Sequence, residues 1–237
     1  MTRRRWIADE VSGNRASLLG SHADHLANVL RARMGQEFDI ATADSVRRGR
    51  IVSIADGRVE FELGEVIRTA SVPGLTLVLS IFKFDRMEWA IEKCVELGVT
   101  RIAPVVAQRT EAHLAAAALK RVERWQRLAR QASEQSRRAS PPEIAQPVKL
   151  KEIVTAATGT RIVLAESEDH VMLKEALQTR TAPNSIFLAF GPEGGWTETE
   201  LKLFLGAGWI AASLGKTILR AETAAIAGTA VAFAELQ

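Results

Sequence analysis

The spacing of apolar positions changes character near residue 74. Before it the clearest signal is a two-residue alternation, in which Val59, Phe61 and Leu63 interleave with Arg58, Glu60 and Glu62, just after Ile51 to Ala55 and an Asp56-Gly57 pair. An Asp-Gly pair supplies the positive φ that a tight type I′ turn needs, so residues 51–63 are predicted to form a β-hairpin. Leu26, Val29 and Leu30 recur at helical spacing within 22–33, predicting a helix that stops before Gly35. Ser71-Val72-Pro73-Gly74 is rich in turn formers and reads as a linker. The pattern thus predicts a small strand-rich unit over 1–70, a linker at 71–74 and a larger unit over 75–237.

In the second region short apolar runs alternate with helical segments. The runs are Leu75 to Ile81, Ile102 to Ala107, Arg161 to Ala165, Ser185 to Phe190 and Trp209 to Leu214. Between them, Arg86 to Leu97 carries one apolar face (Met87, Ala90, Ile91, Cys94, Val95), and a longer helix is predicted from Ala116 to Arg137, burying Leu119, Val122, Trp125, Leu128, Ala129 and Ala132. Such alternation predicts an α/β domain, a mostly parallel sheet covered by helices on both faces. Residues 225–236 are apolar nearly all round, which predicts a buried helix.

Composition narrows the chemistry. With 47% apolar and 25% charged residues, the chain has the statistics of a soluble globular protein, and no apolar run approaches the ~20 residues that span a bilayer, so cytoplasmic residence without a membrane partner is expected. One cysteine, Cys94, leaves no disulfide framework, and four scattered histidines give no expected metal site. The net charge of +3 averages unlike regions: 12 basic against 7 acidic residues over 75–140, and 8 against 11 over 141–237. Of 31 basic residues, 23 are Arg. Arg pairs with phosphate and stacks on bases, which suits a nucleic-acid partner, although a GC-rich genome would give the same bias. Lys120, Arg124, Arg127 and Arg130, with Arg137 and Arg138 beyond, serve either as a solvated helix face or as a phosphate-contacting one.

Two loops are too glycine-rich and polar to be core. Phe190-Gly191-Pro192-Glu193-Gly194-Gly195-Trp196 follows an apolar run and leads into Thr197 to Glu200, a capping box. Ligands in open α/β sheets gather at the carboxyl ends of strands, and glycines there let backbone groups approach them. In this first loop the glycine order is not that of a dinucleotide fingerprint, no Lys-Ser or Lys-Thr pair follows the glycines to complete a phosphate loop, and Glu193 would repel a pyrophosphate. The alternatives are a phosphate-free ligand rich in hydroxyl and amino groups, or a tight turn alone. The second loop, Leu214 to Ala224, sets Arg220 and Glu222 at the entrance of the buried C-terminal helix. Charges there are costly unless paired or used, although Glu222 also suits a helix N-terminus electrostatically.

The string GPEGGW (191–196) followed by LGKTILRAETA (214–224) resembles the RsmE-type 16S rRNA (uracil-N3)-methyltransferases of the SPOUT superfamily. The resemblance extends through KFDRMEWAIEKCVELGV (83–99), WQRLARQASEQSRR (125–138) and HLANVLR (25–31), and so covers most of the chain. It implies an N-terminal PUA-like β-barrel that grips RNA, a C-terminal SPOUT α/β trefoil-knot domain, and a homodimer. It also implies S-adenosylmethionine bound by Leu164, Ala165 and Glu166, by Phe190, Gly191, Pro192, Glu193, Gly194 and Gly195, and by Leu214, Gly215, Ile218, Leu219, Arg220 and Thr223. The target would be a uridine of 16S rRNA in the assembled 30S subunit, with Arg220 stabilising charge on the base and Glu222 a proton acceptor. Arg3, Arg4 and Arg5 beside Trp6, together with Arg31, Arg33 and Lys216, are the expected RNA contacts; for the first three a terminal tail is the alternative. Thr217 stands where relatives commonly carry Arg, which shifts that charge to Lys216. A SPOUT enzyme with another RNA target and a non-catalytic ribosome-assembly factor remain the competing readings.

Overall fold

The computed structural model describes residues 5–42, 45–67, 74–179 and 185–236. Arg3, Arg4 and linker residues 71–73 lie outside them. The chain divides into two compact units, Met1–Ser71 with Ser133–Pro141, and Val72–Ala132 with Pro142–Gln237. The return of 133–141 to the first unit is a feature that a single boundary at 71–74 does not contain.

The first unit holds β1 (Arg5–Ile7), β2 (Glu10–Ser12), β3 (Arg15–Leu19), α1 (Gly20–Asp24), β4 (Glu37–Ala41), β5 (Val46–Ala55) and β6 (Arg58–Ile67). The strands pair in the order β1-β4-β5-β6-β3-β2, and only the β1–β4 pairing is parallel. The predicted hairpin is β5–β6, with Ala55 opposite Arg58, but its turn is not the predicted type I′: of the two central residues only Gly57, at φ 66°, has positive φ. Its alternation sends Val59, Phe61 and Leu63 inward to join Trp6, Leu18, Leu26, Ile40 and Ile51. Gly49 of β5 admits no side chain, since a Cβ there would lie 2.3 Å from Ile40 Cγ1. The helix predicted over 22–33 is shorter: α1 widens into a π-helical turn over His25–Val29. It ends where Arg31 turns left-handed (φ 52°), the Ala32 N–H returning to the Leu26 carbonyl.

The second unit runs β7 (Leu75–Ser80), α2 (Phe84–Leu97), β8 (Arg101–Val106), α3 (Ala112–Ala117), α4 (Val122–Gln135), β9 (Glu143–Ile144), β10 (Val148–Lys149), α5 (Leu150–Ala156), β11 (Thr160–Leu164), α6 (Leu173–Gln178), β12 (Ile186–Phe190), α7 (Glu198–Gly206), β13 (Ile210–Ala212) and α8 (Ala221–Leu236). Its sheet has the order β10-β8-β7-β12-β11-β13, with β9 on β8. Every pairing is parallel, so all carboxyl ends lie along one edge. β7 is wholly buried, as a strand covered on both faces must be. Two apolar clusters flank the sheet, one containing Leu77, Ile91, Trp125, Leu188 and Phe190, the other Val78, Val105, Val163, Phe204 and Trp209.

Two helical expectations are corrected. The helix predicted over 116–137 is interrupted by a 3-10 turn at Ala118–Arg121. Three residues per turn instead of 3.6 rotate Leu119 off the buried stripe, leaving it 60% exposed. The C-terminal helix begins at Ala221, earlier than 225, and is buried on one side only: Ala225, Gly228, Thr229, Ala232 and Phe233 face inward while Thr223, Ala230 and Ala234 are exposed.

Candidate active site

Three loops meet at the carboxyl ends of β12, β11 and β13, which are adjacent in the sheet. The cleft between them encloses about 940 Å³ of space, much of it in its open mouth. Of the expected cofactor residues, Leu164, Ala165, Glu166, Phe190 to Gly195, Leu214, Gly215 and Leu219 line it. Ile218, 80% exposed, with Arg220 and Thr223, also exposed, lies outside the lining, and so does the expected RNA contact Lys216. Ile218 and Lys216 ride the far side of a loop whose alternate residues, Thr217 and Leu219, turn inward.

The loop after β12 is built by local chemistry. Gly195, at φ 70°, lets its N–H return 2.8 Å to the Pro192 carbonyl. Trp196 then turns inward, its Nε1–H donating 3.0 Å to the Leu164 carbonyl at the end of β11 and its ring packing on Phe204. A Cβ on Gly191 would press on that indole at 3.4 Å. Thr197 caps α7 as predicted: its hydroxyl accepts the Glu200 N–H, and Glu200 Oε2 accepts the Thr197 N–H at 2.9 Å. Glu200 is also buried, and its Oε1 accepts the Gln108 N–H at 2.7 Å, which ties this loop to the one after β8. On the third loop, Ser213 Oγ bridges both backbone groups of Gly215, held at φ 132°.

Sequence reasoning missed two cations of this edge. Arg109, after β8, lines the cleft and donates from Nη1 to the Gly194 carbonyl at 2.5 Å. Arg86, in the first turn of α2, places Nη1 3.5 Å from Glu193 Oε1 and 3.6 Å from Glu222 Oε1, while Lys83 Nζ stands 3.9 Å from Glu193 Oε2. Glu222 is 4% exposed, and the cation the structure pairs with it is Arg86 and not Arg220.

The remaining expected RNA contacts differ among themselves. Arg31 and Arg33 are exposed. Arg5 is half-buried and donates from Nη1 to the Arg137 carbonyl, a contact within the first unit. On the basic face of α4, Arg124 pairs with Glu88 at 2.8 Å, and Arg121 of the preceding 3-10 turn stacks over Phe84, so part of that charge is used internally. Burial pushes the Arg138 guanidinium down to about 10. No helix among the described residues is long and apolar enough to cross a membrane, and no group of three His, Cys, Asp or Glu residues among them could hold a metal ion.

Residues 70–232 match the family model of the RNA methyltransferase domain. The chain is 33% identical to the ribosomal RNA small subunit methyltransferase E of Synechocystis over 88% of its length and 69% of the relative's, and 28% identical to that of Rickettsia conorii over 97% and 93%. Among solved structures it resembles the ribosomal RNA small subunit methyltransferase E of Neisseria gonorrhoeae bound to S-adenosylmethionine (TM-score 0.83, 30% identity, 96% and 95% covered). It also resembles a Legionella pneumophila protein in complex with the same cofactor (TM-score 0.85, 27% identity, 99% and 98% covered). With most of its length matched by the family model and by these relatives, the chain belongs to the RNA methyltransferase family, alongside the ribosomal RNA small subunit methyltransferase E proteins.

Proposed function

We propose that this chain is an S-adenosylmethionine-dependent methyltransferase acting on N3 of one uridine in the 16S RNA of the small ribosomal subunit. The observation that carries the reading is the character of the cleft: apolar walls from Leu164, Trp196, Leu201, Leu214 and Leu219, backbone groups from its glycine loops, and the carboxylates of Glu166 and Glu193. Glu193 already faces Arg86 and Lys83, and Arg109 reaches the Gly194 carbonyl, so Glu166 is the carboxylate left to complement a sulfonium or an ammonium group. When bound, the cofactor supplies an electrophilic methyl group. Leu164, Leu214, Leu219 and Ala221 would exclude water from it, and the backbone of 190–195 would orient it.

Uracil N3 is a poor nucleophile while it holds its proton, so the chain must accept that proton and position the base. Glu222, buried beside the cleft-lining Ala221, is the proton acceptor in this reading, and Arg220 supplies positive charge from the rim. The first unit is assigned a PUA-like β-barrel that grips the 30S subunit through Arg3, Arg4, Arg31 and Arg33. The second is assigned a C-terminal trefoil knot and a homodimer contact, all in the cytoplasm.

Calorimetric titration tests the cofactor half of the reading. S-adenosylmethionine is expected to bind at one site per chain and NAD or ATP not to compete. No binding heat, or displacement by ATP, would overturn it.

A further inference from the structure

Glu222 Oε1 faces Arg86, whereas its other oxygen, Oε2, is buried and makes no hydrogen bond among the described residues. Buried carboxylate oxygens are rarely left so, and one beside a ligand cleft points to an N–H supplied from outside the chain. Arg86 is one-third exposed, and the contacts it makes to Glu193 and Glu222 both involve Nη1. A guanidinium has five N–H donors, so donors on Nε and Nη2 remain. Neither Arg86 nor Glu222 lines the cleft itself, but each neighbours a residue that does: Arg86 faces Glu193, and Glu222 follows Ala221. A hydrogen-bond acceptor and a set of donors are thus fixed side by side, held from α2, α8 and the loop after β12.

We propose that Arg86 and Glu222 together read the imide edge of the acceptor base. Glu222 Oε2 accepts the N3–H, and a remaining guanidinium N–H of Arg86 donates to the neighbouring carbonyl. This inference rests on the uridine reading above. It makes Arg86, which no motif singled out, a specificity-determining residue. Uracil presents N–H between two carbonyls, which meets this pair in register. Cytosine fits this pair only in a register displaced by one atom, N4–H to the carboxylate and N3 to the guanidinium, which takes N3 away from its place for methylation; with N3 kept in place, its bare lone pair faces the carboxylate and that contact becomes repulsive. Sites that satisfy buried polar groups with substrate hydrogen bonds reject analogues lacking them by about 10⁴ to 10⁵.

The test uses small subunits from cells lacking the gene, and subunits reconstituted with cytidine at the nucleotide that the wild-type protein modifies. Methylation is followed in a single turnover, with subunit affinity measured in the absence of cofactor. Wild type is expected to favour uridine by at least about 10³ in rate. Arg86→Met and Glu222→Gln should lower the uridine rate about 100-fold or more and bring the preference below about 10, while the dissociation constant for S-adenosylmethionine stays within about threefold. Arg86→Lys keeps the charge but loses the planar fork, so it should restore part of the rate without the preference, at an unchanged melting temperature. It also decides the matter if Arg86→Met does not fold. An Arg86→Lys or Arg86→Met protein that binds cofactor and keeps the wild-type rate and preference would overturn this assignment alone. A wild-type protein that methylates no uridine N3 would overturn the uridine reading with it.

Discussion

Gly228 lies in the middle of α8, facing Phe190 at the end of β12. A Cβ there would sit 2.8 Å from Cε1 and Cζ of that ring. Gly228→Ala therefore sets two effects against each other. Helix propensity favours Ala by about 1 kcal/mol, while overpacking a close-packed core costs about 1–3 kcal/mol. Phe190 is 1% exposed and forms part of the main core of the second unit, so it has little room to retreat and the steric cost should prevail. The balance is a loss of up to about 2 kcal/mol, and at roughly 2–4 °C per kcal/mol for a protein of this size the melting temperature falls by up to about 8 °C. Phe190 also lines the cleft, so a shift of a few tenths of an ångström in its ring should weaken S-adenosylmethionine binding several-fold. Thermal melts with and without cofactor, followed by calorimetric titration, measure both effects. A variant that melts above wild type and binds cofactor normally would refute the reasoning, because propensity would then have decided the outcome at a contact taken to be tight.

Three further outcomes are expected. Trp196→Phe removes the donor to the Leu164 carbonyl and should cost about 1–3 kcal/mol of stability, raising the dissociation constant for S-adenosylmethionine more than it changes turnover; an unaltered constant would show that the indole does not hold the loops. Burial pushes the Cys94 thiol up to about 12, so a thiol-reactive disulfide should label it only after unfolding. Because the fold favours the protonated thiol, stability should also fall as pH rises above the unfolded thiol value near 8.5, a fall that Cys94→Ala should lessen; native labelling at the unfolded rate would contradict the burial. Arg220→Ala should abolish turnover with only a modest loss of cofactor affinity, and unchanged turnover would remove Arg220 from the mechanism.

What was legible in the sequence was what short-range chemistry decides. Gly57 specifies the hairpin turn through its backbone conformation, although Asp56 does not join it at positive φ, the apolar runs specify buried parallel strands, and Thr197 to Glu200 specify a helix start. The glycine loops were legible as a candidate ligand site because each follows an apolar run, and both line one cleft. Arg86 and Arg109 escaped notice because their partners lie about a hundred residues away, and nothing in the spacing of a helix face reveals which carboxylate or carbonyl it will meet. The same holds for Arg5, whose use as a donor to the Arg137 carbonyl depends on residues 133–141 joining the first unit. The interruption at Ala118–Arg121 was hidden for a different reason: Ala and Leu favour the α-helix, and tertiary packing overrode that weak preference.

The chain is expected to place a methyl group on N3 of a uridine in small-subunit RNA, and reverse transcription tests this most directly. An N3 methyl blocks the pairing edge, so extension across 16S rRNA should halt at one uridine in cells carrying the gene and read through in cells lacking it. The halt should return on complementation with wild type and not with Arg220→Ala. Identical read-through with and without the gene would contradict the account.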